Sequence, residues 1–503
     1  MNNSMIIYIL GQVVRLEGIL MIIPCITSLI YQEHEGFAFL VVILACVIVG
    51  TLMTIRKPLN QTIYLKEGCI ATAFSWVLLS IFGCMPFVIS GEIPSFTNAL
   101  FETVSGLTTT GASILSDVEA MSHGMMLWRC FTHWIGGMGV LVFLLAIIPM
   151  NSASGSNMNL MKAESPGPSV GKLVPRLKHT ARILYAIYFA MTLLEVVLLL
   201  FGRMSLFDAF CTAFGTAGTG GFGIKNDSFA SFSPYIQWVV TIFMMLFGVN
   251  FNFYYYILYR NVRKALSMEE VRTYFLIILG AIGIIFVNLM QTMSNAWDAL
   301  RHASFQVASI ITTTGYASAD FDQWTQTCKT VLVILMFIGA CAGSTGGGMK
   351  VSRLIIMFKT VVKELSSYFH PKNIKKIKMD GRPVEHEVVR AVNVYFITLM
   401  GIFTVSVLLV SIEGRDLITN FTAVAACLNN IGPGLSQVGP TQNFGMLTGF
   451  TKYVLMFDML AGRLELFPLL LIFNPGVYRD MFMGAVRYVR RRISARRAKR
   501  VTS

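Results

Sequence analysis

Apolar residues run in long blocks along this chain, unlike the alternation of a strand or the single stripe of a soluble helix. Blocks of spanning length lie near 10–31, 37–55, 68–90, 125–150, 182–202, 235–259, 272–293, 328–348, 390–411 and 450–473. A helix of roughly 18 to 20 such residues crosses the ~30 Å of hydrocarbon in a bilayer, so the pattern predicts ten membrane spans. Shorter, half-apolar segments near 97–108, 206–217, 298–311 and 416–429 interrupt the series. At about a dozen residues each, they reach only part way across.

Each short segment ends in a loop centred on glycine. The loops read Leu107-Thr108-Thr109-Thr110-Gly111-Ala112-Ser113, Gly218-Thr219-Gly220-Gly221-Phe222-Gly223, Ile311-Thr312-Thr313-Thr314-Gly315-Tyr316-Ala317 and Asn429-Asn430-Ile431-Gly432-Pro433-Gly434. Aligned on Gly111, Gly221, Gly315 and Gly432, the chain repeats at intervals of 110, 94 and 117 residues. Every interval carries the order span, short helix, Gly loop, span. A phenylalanine precedes each glycine by ten or eleven residues: Phe101, Phe210, Phe305 and Phe421. The predicted architecture is an all-α integral membrane protein with four span–pore helix–span repeats in pseudo-fourfold arrangement, preceded by two extra N-terminal transmembrane helices. The expected divisions are 1–62 for the two N-terminal helices, 63–150 for the first repeat, and 151–265 for a cytoplasmic loop with the second repeat. They continue with 266–384 for the third repeat and its cytoplasmic loop, 385–476 for the fourth, and 477–503 for a basic tail.

Re-entrant backbone at membrane depth is tolerated where it is buried in protein or lines a wet cavity. Four loops around one axis supply that setting. Extended Thr-Thr-Gly or Ile-Gly segments aim main-chain carbonyls at the axis and replace the hydration shell of a cation. The short helices turn their negative carbonyl ends the same way. The filter expected from this reading comprises Thr109, Thr110, Gly111, Gly220, Gly221, Thr313, Thr314, Gly315, Asn430, Ile431 and Gly432. Asp208, Asp298 and Asp416, near the starts of three short helices, read as ordinary helix caps or as partners of the positive helix ends. The glycines of the second loop look superficially like a dinucleotide-binding run, but no strand–turn–helix surrounds them.

Composition agrees with the block pattern: 55% of the 503 residues are hydrophobic and 13% charged. The net charge of +14 does not point to nucleic acid, because the cations collect on every second connection. Arg56, Lys57 and Lys66 follow the second span, Lys162 to Arg182 the fourth, Arg260 to Arg272 the sixth, and Lys359 to Arg382 the eighth. The tail adds Arg487 to Arg500, while acids such as Glu33, Glu92, Asp117, Asp320 and Glu413 occupy the alternate connections. The positive-inside rule then places both termini in the cytoplasm, and the basic tail meets anionic lipid heads. The first apolar block lacks a basic start and a cleavage site, so it reads as a retained helix. The nine cysteines show no CxxC spacing and the seven histidines no metal spacing; the histidines read as interface or loop residues.

The eighth block contains Ala340-Cys341-Ala342-Gly343-Ser344-Thr345-Gly346-Gly347-Gly348-Met349-Lys350. The Gly-Lys-Ser/Thr ending of a phosphate loop is missing. The segment reads as a break in a membrane helix, with Gly343, Ser344, Thr345, Gly346, Gly347 and Gly348 forming a gate under the filter; the plainer reading is a packing kink. Arg463, mid-block, requires a cavity or a partner. It projects into the ion path or toward the 340–350 segment, or else serves structure alone by bonding to carbonyls. Glu465 is a poor direct partner for it, lying nearly opposite around the helix. Glu195 and Asp458 read as acids bonded to neighbouring helices or as sites coupling proton or sodium flow. No Ser/His/Asp set or carboxylate pair stands out, so an enzyme is not expected.

Taken together, Thr132-His133-Trp134-Ile135-Gly136-Gly137-Met138-Gly139, Ala163-Glu164-Ser165-Pro166-Gly167-Pro168, the 340–350 segment and Gly462-Arg463-Leu464-Glu465 resemble the Trk/Ktr/HKT superfamily, specifically its TrkH-like potassium-uptake branch. The resemblance covers about 10–480. It implies a homodimer in the bacterial inner membrane with one pore per subunit, a cytoplasmic ring of RCK-type nucleotide-binding regulatory subunits, potassium as the transported ion, and no organic cofactor on this chain. It also implies that Gly111, Gly221, Gly315 and Gly432 carry selectivity, with glycine in the first loop favouring potassium over sodium. The interrupted helix would then be the gate, with Arg463 beneath the filter. The alternative is a secondary active symporter coupled to protons or sodium, whose mark is an inverted repeat with essential acids.

Overall fold

The computed structural model describes residues 1–58, 62–137, 139, 177–370 and 376–479. Six helices among these residues are long and apolar enough to cross a membrane: Asn3–Ile30, Gly36–Thr54, Leu65–Ser90, Arg182–Phe201, Glu269–Leu289 and His386–Ser411. Leu44, Leu279, Ile397 and Leu408 stand exposed on them. So much uncovered apolar surface is stable only against hydrocarbon. The other described residues form the less apolar helix Val351–Phe369, shorter helices, loops and a hairpin with two residues per strand, Lys378–Met379 with Arg382–Pro383.

The expectation that only the eighth block is broken is corrected. Residues 235–259 form two helices, Pro234–Phe247 and Phe251–Leu258, bent by 90°. The eighth block divides into Gln326–Ile338 and an irregular segment that leads to helix Val351–Phe369. The tenth holds Gly449–Arg463 and then, after a turn, the four-residue helix Phe467–Leu470. Hydropathy reports which residues avoid water; a broken helix packed in protein is as apolar as an intact one. Helix His123–Gly137 opens the fourth block, and the remainder of 125–150 lies almost wholly outside the described residues. So do the 163–168 motif, Lys162, Lys172, Arg176, Lys372, Lys375 and the basic tail.

The four short helices lie at Phe96–Leu107, Leu206–Gly218, Ala296–Ile311 and Leu417–Leu428. Three of their starts are capped by polar side chains. Ser205 Oγ accepts from the Asp208 N–H at 3.1 Å, Asn295 Oδ1 from Trp297 N–H at 3.1 Å, and Asp416 Oδ2 from Thr419 N–H at 3.0 Å. Asp416 is thus itself a cap, while Asp208 sits in the first turn and Asp298 pairs with Arg301 at 2.7 Å. All three acids lie at the positive helix ends.

The N-terminal helices pack on Leu65–Ser90. A Cβ on Gly50 would lie 2.7 Å from the Gly11 carbonyl, a close backbone approach that small residues permit. Glu67 accepts from the Asn2 N–H at 2.6 Å, and Glu33 from the N–H groups of His123 and Gly124 at 2.7 and 3.0 Å. These contacts tie the pair to the helices at 65–90 and 123–137 at both of its ends.

Candidate functional site

Each short helix leads into a loop with the same backbone signature. Thr109 and Gly111 have φ of 56° and 80°, Thr219 and Gly221 54° and 80°, Thr313 and Gly315 59° and 85°, Asn430 and Gly432 56° and 102°. In every loop, two left-handed residues flank one that is not. That alternation turns successive carbonyls to the same side, which a plain strand does not.

Glycine packing fixes how the loops meet. A Cβ on Gly111 would fall on the carbonyl oxygen of Gly220, one on Gly221 on that of Thr314, and one on Gly315 on that of Ile431. A Cβ on Gly432 would come within 2.8 Å of Thr110 O. The contacts run from loop one to two, three, four and back to one. Side chains are excluded twice over at these glycines, by the left-handed backbone and by the neighbouring carbonyl.

The threonines of loops one and three have separate tasks. Thr108 and Thr312 bond back to Val104 O and Ala308 O, both at 2.6 Å, and their hydroxyls meet those of Thr110 and Thr314 at 2.8 Å. Thr313 accepts the Gly347 N–H at 2.6 Å. In loop four, Asn430 replaces the middle threonine and donates to Thr110 Oγ1 and Met459 O at 3.0 and 2.9 Å. All eleven expected filter residues lie in these four loops, and the structure brings them together.

Behind the loops lies the interrupted segment. It leaves Gln326–Ile338 at Gly339 (φ 74°) and enters Val351–Phe369 after Lys350 (φ 78°). Its backbone bonds to the break in the 234–258 helix pair: Cys341 N–H donates to Gly248 O at 3.1 Å, and Phe251 N–H to Gly343 O at 2.9 Å. Thr345 Oγ1 donates to Phe247 O at 3.2 Å, and Ser344 Oγ to Cys341 O at 2.6 Å. A Cβ on Gly346 would lie 2.9 Å from Thr312 O, and one on Gly347 2.6 Å from Asn429 O. Gly346 and Gly347 therefore touch loops three and four, whereas Gly348 (φ 74°) closes back on Gly339.

Arg463 ends the Gly449–Arg463 helix and donates to Thr345 O at 3.0 Å, to Gly137 O at 2.8 Å and to Gly136 O. It reaches the 340–350 segment, and it does so by bonding carbonyls. Glu465 pairs instead with Arg353, in a buried contact. Asp458 accepts from Ser406 Oγ at 2.7 Å, joining two helices, and Glu195 is buried.

Sequence reasoning missed several residues that hold this site. Glu270 accepts the N–H groups of Ala342 and Ser352 at 2.6 and 3.1 Å, cradling both ends of the interruption. Glu102 and Arg129 form a buried ion pair at 2.7 Å. His133, expected among interface or loop residues, is fully buried between the first two loops. For Arg129, charge within an apolar block is the signal that would have found it; Glu102 and Glu270 lie outside the spanning blocks and carried no such mark.

A polytopic helical membrane protein whose re-entrant loops close on one another belongs to the class of membrane transport proteins. A match to the family described as "TrkH: Cation transport protein" covers residues 35–483, and the chain belongs to that family, a transport family and not an enzyme class. It is 34% identical over 492 residues to the Trk system potassium uptake protein TrkH of Escherichia coli K12, covering 95% of this chain and 100% of that one. The Trk system potassium uptake protein TrkG of the same organism is 32% identical over 493 residues, with the same shares covered. The crystal structure of the potassium transporter TrkH from Vibrio parahaemolyticus superposes with a TM-score of 0.84 at 31% identity, over 95% of this chain and 99% of that one.

Proposed function

We propose that this chain takes up potassium across the bacterial inner membrane through a gated pore. The filter is Thr109 to Gly111, Gly220 and Gly221, Thr313 to Gly315 and Asn430 to Gly432, and the gate is 343–348 with Arg463. The four loops belong to four span–short helix–span units in pseudo-fourfold arrangement, bounded as the sequence divides them, with the two N-terminal helices outside. The observation that carries the reading is the cyclic order of the glycine-to-carbonyl approaches. It supports a rotational relation of the loops about one axis, in which their carbonyls would exchange for a cation's water.

The gate reading rests on the bond from Gly347 to Thr313 and on the Arg463 bond to Thr345 O, which tie one segment to the filter and to a cation at once. The positive-inside distribution supports two cytoplasmic termini. On the same reading the protein works as a homodimer in a lipid leaflet rich in anionic heads, with a cytoplasmic RCK-type regulatory subunit. The test is the substitution Gly111→Ser or Gly315→Ser. Its Cβ displaces the Gly220 or Ile431 carbonyl, and sodium permeation through the reconstituted protein is expected to rise relative to rubidium. Parental discrimination in both variants would overturn the filter assignment.

A further inference from the structure

Loop two lacks a side chain where the other loops carry one. The residue before the central glycine is Thr110, Thr314 or Ile431 in loops one, three and four, but Gly220 in loop two. An imidazole from another part of the chain occupies the space: a Cβ on Gly220 would fall on the ring of His133. His133 belongs to helix His123–Gly137, which follows loop one.

The ring bonds at both ends. Its Nδ1 lies 2.7 Å from the carbonyl of Gly106, in the last turn of the first short helix, and its Nε2 lies 3.2 Å from the N–H of Phe222, next to the central glycine of loop two. A carbonyl only accepts and an N–H only donates. The proton is therefore on Nδ1, and Nε2 presents its lone pair. One helical turn earlier, Arg129 repeats the span: Nε meets Glu102 at 2.7 Å, and Nη1 donates to Gly223 O at 3.0 Å. Glu102 with Gly106 and Arg129 with His133 are both four residues apart, so two parallel struts join the first short helix to the exit of loop two.

We infer that His133, as the neutral Nδ1–H imidazole, is a positioning residue of the filter: it supplies to loop two the side chain that Gly220 lacks and sets that loop's distance from loop one. This rests on the filter reading above. A carbonyl ring discriminates between cations by the placement of its oxygens, and Gly220 O is the oxygen that approaches Gly111. Gly220 is then explained by the imidazole behind it, and Gly218 by the close approach of the His133 carbonyl.

The test is a double-mutant cycle on reconstituted protein, reading rubidium against sodium flux and, separately, thermal stability. His133→Ala is expected to lower the rubidium-to-sodium ratio roughly fivefold or more, by removing both bonds from a buried site. Gly220→Thr alone is expected to lower it as well, because the new side chain meets the ring. Combined, Gly220→Thr in the His133→Ala background recovers much of the ratio. A double variant no better than the product of the two single effects would overturn the proposal, as would a parental ratio in properly inserted His133→Ala. Gly111→Ser serves as control: if it loses selectivity while the His133 variants keep theirs, only this proposal falls, whereas if none changes the ratio the filter reading falls too. Should His133→Ala fail to insert, nitrogen-15 spectra of histidine-labelled parent protein decide the matter. A buried Nδ1–H tautomer is expected, and an imidazolium or an Nε2–H tautomer would refute it.

Discussion

At the scale of single residues, the run Thr312-Thr313-Thr314 divides its labour by backbone conformation. The first hydroxyl closes the short helix, the third bonds the first, and the second, on a left-handed residue, turns away to accept the N–H of Gly347. Replacing Thr313 with Val keeps the branched shape and deletes the acceptor. A buried N–H left without a partner costs about 1–3 kcal/mol, and here the cost falls on the contact between loop three and the interruption. Thr313→Val is expected to raise rubidium flux several-fold, and parental flux in the inserted variant would refute the link. That these threonines matter was legible from two Thr-Thr-Thr-Gly runs in register. Which hydroxyl does what was not, because the division depends on φ and on a partner 34 residues away.

Among elements, the informative feature is where helices stop. The bent pair Pro234–Phe247 and Phe251–Leu258, the 339–350 interruption and the turn after Arg463 are each satisfied by bonds to one another or to a buried side chain. Only mutual satisfaction makes broken backbone stable at this depth. Shortening 343–348 removes the bonds to Phe247, Thr313 and Arg463 together, and flux is expected to rise; unchanged or lower flux in an inserted variant would count against the gate. The start of helix Gly449–Arg463 is held differently. Burial pushes the Glu413 carboxyl up, but hydrogen bonds from Thr451 and Thr448 and the Arg415 guanidinium outweigh it and hold the group below the usual glutamate value. Such a group adds stability above its unfolded value, ~4.3, and loses it as pH falls through the folded one. Glu413→Gln is expected to lower the unfolding temperature at pH 7 and to narrow its difference from the parent near pH 4. An equal deficit at both would refute the assignment. The single glycine-rich break was visible as a polar run within an apolar block, whereas the bend after Phe247 was marked only by Gly248 and the capping Asn250 in an otherwise apolar stretch.

Across the whole molecule, each loop meets the next in a closed cycle, and this bears on how transport is driven. A pore conducts down the gradient of its own ion; a symporter responds to the gradient of a second. Replacing Glu195 with Gln or Asp458 with Asn is expected to leave rubidium uptake insensitive to imposed proton or sodium gradients, as in the parent. Gradient-dependent parental uptake that either substitution abolishes would favour coupling. The sequence alone determined the class, because the bilayer demands long apolar blocks and the short helices are too short to hide among them. It also located the loops, since a short half-apolar segment followed by a glycine loop occurs at four places in the chain. Tertiary structure decided the rest: the order in which glycines meet carbonyls, the helix breaks that answer one another, and the imidazole lent by the helix after loop one to loop two. These are contacts between residues far apart in the chain, and local periodicity holds no record of which distant group fills a gap.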